Sequence, residues 1–136
     1  MSQDHIDVIK RGLEAFNRGD WDSAVEHLAE DAVWSGYLAS VDGSKSLFGR
    51  EAIKKAWSDQ SEALGREEFR AEAQEFRDLG AGTVLVSIRL LGRGTESGLP
   101  IEINYVQLWT LRDGLGVRVD SYGAEAEALE AAGQSE

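Results

Sequence analysis

The stretch IEINYVQLWTLRDGLGVRVDSY, residues 101–122, constrains the fold more than any other part of the chain. Two runs rich in β-branched and aromatic residues flank Asp113-Gly114, a dipeptide suited to the positive backbone angles of a tight hairpin turn. A third run of the same kind, TVLVSIRLL at 83–91, precedes them across the turn-rich GRGTESGLP. Two long strands and a shorter last one in succession predict an antiparallel sheet, and such a sheet must cover at least one face to bury its apolar side chains.

The cover comes from the first half of the chain. Ile6, Ile9, Leu13 and Phe16 follow steps of three and four, so they share one face of a helix that Ser2 or Asp4 can cap. Gly19 suits the stop of that helix, and Asp20 can cap a second whose Trp21, Ala24, Val25 and Leu28 repeat the spacing. Ala32 to Leu38 reads as a strand, residues 39–49 as a loop. A third helix starts near Arg50, with Ile53, Ala56, Trp57 and Leu64 on one side, and stops at Gly65. Residues 67–79, EEFRAEAQEFRDL, fit a helix and a strand alike: Phe69, Ala71 and Ala73 alternate, while Phe69, Ala73 and Phe76 have helical spacing. GAEAEALEAAG at 123–133 reads as a short alanine-rich helix. The pattern predicts one α+β domain over residues 1–136, in which helices cover one face of an antiparallel sheet.

Composition removes several function classes. A chain of 136 residues, 42% of them hydrophobic, has material for one core of useful size. No run approaches the roughly 20 apolar residues that a membrane helix needs, and acids stand at the N-terminus where a leader carries bases, so a cytoplasmic protein is expected. With no cysteine, and with His5 and His27 far apart, neither a metal site nor a cofactor is expected. A net charge of −11 repels phosphate backbones and anionic lipid, which argues against nucleic acid and membrane partners. GSKS at 43–46 lacks the glycine spacing and strand context of a phosphate loop.

The order helix, EAFNRGDWD, helix, AEDAVW, GREAIKKAW, a long strand ending VQLWTLRDG, then SYGAEAEALEAAG resembles the nuclear transport factor 2-like superfamily, and within it the SnoaL-like, ketosteroid isomerase-like branch. The resemblance implies a cone-shaped curved antiparallel sheet covered on one face by three N-terminal helices, with a short C-terminal helix. It also implies a strand at 67–79, a pocket between sheet and helices for a small apolar or aromatic ligand, and a homodimer formed through the sheet. It does not imply an activity, because the fold hosts isomerases, hydrolases, cyclases and domains without chemistry. Ketosteroid isomerases use a tyrosine and two aspartic acids. Matched on the motifs, those places hold Gly12, Gly36 and Gln107 here, so the isomerase catalytic groups are absent. The related epoxide hydrolases carry an aspartate one residue before the last strand's tyrosine, where this chain has Ser121; its carboxylate, Asp120, stands one residue earlier.

One residue along a strand changes the face of the sheet. A three-residue turn, Arg112-Asp113-Gly114, puts Gln107, Trp109, Val117, Val119 and Ser121 on one face and turns Asp120 away from the pocket. A two-residue Asp113-Gly114 turn shifts the pairing and brings Asp120 beside Gln107. Apolar Val117 and Val119 belong inside more naturally than Arg118 and Asp120, which favours the outward position.

Trp34, Trp57 and Trp109 come from a strand, a helix and another strand that the resemblance brings to the pocket, where flat amphipathic rings suit apolar ligands. Gln107, Tyr105 and Ser121 can orient a ligand carbonyl there. These six are the candidate ligand-binding residues; their plain alternative is core packing. Trp21 reads as packing, Arg89 as a residue of the opposite face and His27 as a surface histidine. Three functions follow: a ligand-binding domain with modest or no turnover, an acid–base enzyme using Asp120, and an assembly module using the face with Arg118, Asp120 and Tyr122.

Overall fold

A computed structural model describes residues 2–36 and 46–133. The expected strand residues 37 and 38, and most of the loop with GSKS, lie outside the described residues. Helix α1 (Ser2–Asn17) is followed by α2 (Trp21–Val25), strands β1 (Leu28–Gly36) and β2 (Ser46–Phe48), and helix α3 (Arg50–Ala63). Then come β3 (Arg70–Gly80), β4 (Thr83–Arg93), β5 (Pro100–Arg112), β6 (Leu115–Tyr122) and α4 (Glu125–Ala131). The six strands form one sheet in the order β2-β1-β6-β5-β4-β3. The α+β class is as expected, with one refinement: β1 runs parallel to β6, while every other pairing is antiparallel.

Residues 70–79 resolve in favour of the strand, while 67–69 belong to the turn that leads into it. Phe69 and Ala71 are buried and Ala73 and Phe76 pack against the same core, while register shifts between Ala73 and Glu75 and between Asp78 and Gly80 bend β3. Tertiary pairing with β4 here outweighs the helical preference of alanine and glutamate. Helix α2 is shorter than expected, because Leu28 opens β1 instead of ending the helix. The Gly116 amide donates to the His27 carbonyl at 2.9 Å, and the Arg50 guanidinium donates to the Leu28 carbonyl at 3.0 and 2.6 Å. Those partners take residues 27 and 28 out of the helix and start β1 at Leu28. The loop expected at 39–49 ends in the short strand β2, whose Leu47 sits opposite Trp34.

The β5–β6 hairpin combines the two turn geometries considered above. Asp113 (φ 54°) and Gly114 (φ 79°) form a two-residue turn with Arg112 opposite Leu115. Pairing then jumps from Leu111–Gly116 to Thr110–Arg118, so Val117 is an extra residue, a β-bulge. The bulge restores the register in which Gln107 faces Ser121 and Trp109 faces Val119. Val117, expected inside, is only partly buried. Gly116 lies beneath the Trp109 ring instead, where a Cβ would come within 2.8 Å of that ring.

Two apolar clusters result. The large one fills the space between α1, α2, α3 and the inner face of the sheet, with Ile9, Ile53, Val84, Val86, Ile88 and Val119 at its centre. The smaller one, Leu85, Val106 and Leu108 with Ala128, lies on the outer face beneath α4. Helix α1 is tied to β3 by Asn17, whose amide donates to the Ala71 carbonyl at 2.9 Å and accepts from the Ala71 amide at 2.8 Å. Each bond is worth about 0.5–1.5 kcal/mol net. Asn17→Ala is therefore expected to lower stability by about 1–2 kcal/mol, read as a lower urea midpoint with an unchanged slope.

Candidate functional site

The inner face of the sheet alternates with the outer by the simple period of a strand, and the register fixes which residues meet. From β5 come Tyr105, Gln107 and Trp109; β4 contributes Val86, Ile88 and Leu90, and β1 contributes Trp34. Helix α3 lays Trp57 against Trp34 edge to face, ring centroids 5.3 Å apart, and Trp34 meets Trp109 the same way at 6.1 Å. Helix α1 adds Phe16, whose ring lies 5.3 Å from each of Trp57, Trp21 and Phe69. Trp21 is a packing residue, as expected, and all four tryptophans belong to this one aromatic group.

Among these rings sits a buried polar side chain. Gln107, 3% exposed, accepts a hydrogen bond at 2.9 Å from the Trp109 indole N–H. An indole nitrogen only donates, so the amide oxygen must face Trp109 and the amide nitrogen must face away. Gln107 also hydrogen-bonds the Tyr105 side chain. Tyr105 as a whole is partly buried, and its hydroxyl lies at the buried end. Burial pushes its pKa up to about 12, against the smaller opposing pull of Gln107.

A cavity of about 30 Å³ lies among Leu13, Phe16, Trp34, Trp57, Tyr105 and Gln107, with Gln60 also on its wall. That is room for a water molecule, against several hundred Å³ for an ordinary organic ligand. Of the six expected residues, Trp34, Trp57, Tyr105 and Gln107 therefore meet at one cavity. Trp109 stands behind it and orients Gln107. Ser121 is buried on the same face opposite Gln107 but does not line the cavity. Sequence reasoning passed over Gln60, although it follows Trp57 by three residues on the same helix and so shares its face. It assigned Phe16 and Leu13 only to packing.

Asp120 lies on the outer face opposite Leu108. Its carboxylate accepts from the Ser35 hydroxyl at 2.5 Å and from Arg118 Nε at 3.0 and 2.9 Å, leaving the side chain 16% exposed. Arg89 is on that face as well, 3.3 Å from Glu102. The places of the isomerase groups are also informative. Gly12 faces His27, and a Cβ there would lie 3.6 Å from that side chain. Gly36 has φ 96°, and a Cβ on it would collide with the Ser121 carbonyl. His27 is half-buried, with Nδ1 3.1 Å from the Ser23 carbonyl, so it is less a surface residue than expected.

The sequence profile of the SnoaL-like domain matches residues 9–119. The chain belongs to the SnoaL-like domain family. Solved structures agree on the fold of this SnoaL-like domain. It is similar to TerC co-crystallised with polyporic acid (20% identity, 93% of this chain and 96% of that one, TM-score 0.76). It is also similar to a putative isomerase from Bacillus subtilis (24%, 98% and 95%, 0.73). A third is SalBIII, an epoxide hydrolase/cyclase-like enzyme of pyran ring formation in the polyether salinomycin (20%, 91% and 93%, 0.75). No curated protein matches the sequence significantly.

The buried Tyr105 of this SnoaL-like domain carries a pH prediction. Its folded pKa, about 12, exceeds the ordinary 10, so the unfolded chain loses this proton first. The stability contributed is complete below pH 10 and falls as pH rises from there towards 12. Chemical denaturation across that range is expected to show the decline, and Tyr105→Phe to remove the part of it that Tyr105 causes.

Proposed function

We propose that this SnoaL-like domain binds a small, flat, apolar molecule between its helices and the inner face of the sheet, and orients one polar group of it with Gln107 and Tyr105. The observation that carries the reading is the Trp109–Gln107 hydrogen bond at 2.9 Å. A glutamine buried among aromatic rings loses hydration, and a domain that needed only packing would be served by leucine at that place. The indole fixes the amide so that its donors point towards Tyr105 and the cavity, which suits a carbonyl, ether or hydroxyl oxygen on the ligand. Crystallisation of TerC with polyporic acid gives an example of a similar fold meeting a small organic ligand.

Any turnover rests on positioning and hydrogen bonding rather than on a strong internal base. The inner cavity is lined by no carboxylate among the described residues, and Asp120 is engaged with Ser35 and Arg118 on the far side of the sheet. The acid–base reading that uses Asp120 is therefore not the one the geometry favours. The smallness of the cavity favours a second reading, an assembly module that dimerises through the outer face with Arg118, Asp120 and Tyr122. Helix α4 already covers part of that face.

The test is a thermal-shift screen against steroids, aromatic polyketide-like compounds and terpene epoxides, repeated with Gln107→Leu and Asp120→Asn. A ligand that binds the native state raises the melting temperature with concentration. The expected outcome is a rise that Gln107→Leu diminishes at least tenfold in apparent affinity and Asp120→Asn leaves unchanged. No rise across the panel, together with a dimer that Tyr122→Ala weakens, would replace this reading by the assembly module.

A further inference from the structure

A second depression, of about 240 Å³, opens at the surface where α1 and α3 end and β3 begins. Its walls carry Trp21, Phe69 and the buried Ser61, and its rim carries Arg18 and Arg66. Phe16 forms its floor and is also a wall of the 30 Å³ inner cavity, and no other residue lines both. Phe16 is thus the lining residue the two spaces have in common. Its ring is held by aromatic edges and not by hydrogen bonds, so its rotation gives up dispersion and leaves no buried polar atom unpaired. Neither space alone reaches the roughly 300 Å³ at which organic ligands are ordinarily held, but joined they approach it.

The rim gives the ligand a charge. Arg18 lies 3.8 Å from Asp20 and Arg66 lies 3.0 Å from Glu62, and all four side chains are well exposed. Exposed pairs of this kind contribute about 0–1 kcal/mol, so either guanidinium can exchange its partner for another carboxylate at little cost. Asp20 is in addition committed to the Ser23 amide at the start of α2. Two planar donor forks at a depression whose lining is mostly polar, with Trp21 and Phe69 among its walls, match a planar acid better than a neutral molecule.

We propose that this depression admits a flat aromatic carboxylate, whose ring displaces Phe16 and enters the aromatic interior while its carboxylate remains at the rim on Arg18 and Arg66. The inference rests on the ligand-binding reading above and adds to it the ligand class, the route of access and the residue that gates it.

The test is calorimetric titration with 2-naphthoate and its neutral isostere 2-naphthamide, using the wild type, the double variant Arg18→Gln/Arg66→Gln, and Phe16→Leu. The wild type should bind the acid at least tenfold more tightly than the amide. The double variant, altered only at exposed positions, should bind both as the wild type binds the amide. Phe16→Leu, checked for native circular dichroism, should bind both compounds more tightly because the displaced side chain is smaller. Equal binding of acid and amide by the wild type, or an acid preference that survives the double variant, overturns the inference and leaves the ligand-binding reading intact. Failure of both naphthalenes while a neutral compound of the thermal-shift panel still binds does the same. Binding of no compound to the wild type or to Phe16→Leu overturns both.

Discussion

The register between β5 and β6 is the constraint on which the rest of the structure depends, and a single extra residue, Val117, sets it. The tight Asp113-Gly114 turn alone would pair Gln107 with Asp120, turn Val119 outward and bring Arg118 and Asp120 into an interior of tryptophan and valine. Burial of charges there costs several kcal/mol each unless they are fully paired. The bulge avoids that cost while keeping the turn that Asp-Gly prefers. It also places Gly116 under Trp109, where the absence of a side chain lets the indole sit close to the strand. The parallel pairing of β1 extends the same register, setting Trp34 beside Val119 and Ser35 beside Asp120.

From that register follow two sides with different chemistry. On the inner side, Trp109 meets Trp34 and turns the Gln107 amide, and the tryptophan, phenylalanine and tyrosine rings leave little free space around it. On the outer side, Ser35, Arg118 and Asp120 form a closed polar set beside the apolar patch that α4 covers. Asp120, for which the sequence favoured the outward position, thus lies on the outer face with Ser35 and Arg118 as its partners. Gly36, which the motif resemblance sets at the place of an isomerase-type base, has a positive φ and a contact with the Ser121 backbone that leave no room for a side chain. Restoring that chemistry needs movement of the strand as well as a substitution.

Much of the architecture was legible in the sequence, because periodicity reports burial directly. The stripes of α1 and α3, the long strands β4 and β5 and the turn at 113–114 are where the pattern put them. Residues 67–79 were not decidable alone, since the deciding term is pairing with β4. Leu28 fits the helical stripe of α2 equally well as the first residue of β1, and only the Gly116 and Arg50 contacts separate the two. The bulge was hidden for another reason: both simple turns were compatible with the residues, and the molecule combines the turn of one with the facing of the other. Residue type and face drew attention to Trp34, Trp57, Tyr105 and Gln107, which line one small cavity. The Trp109–Gln107 bond, the contribution of Gln60 and the place of Phe16 beside both spaces depend on side-chain positions that no linear pattern records.

The most direct measurement is the pattern of backbone nuclear Overhauser contacts across β5 and β6 in solution. Contacts that place Gln107 opposite Ser121 and Trp109 opposite Val119, with the pairing interrupted at Val117, are expected. Contacts placing Gln107 opposite Asp120, with unbroken pairing down to Arg112 and Leu115, would contradict this register and bring the carboxylate into the site.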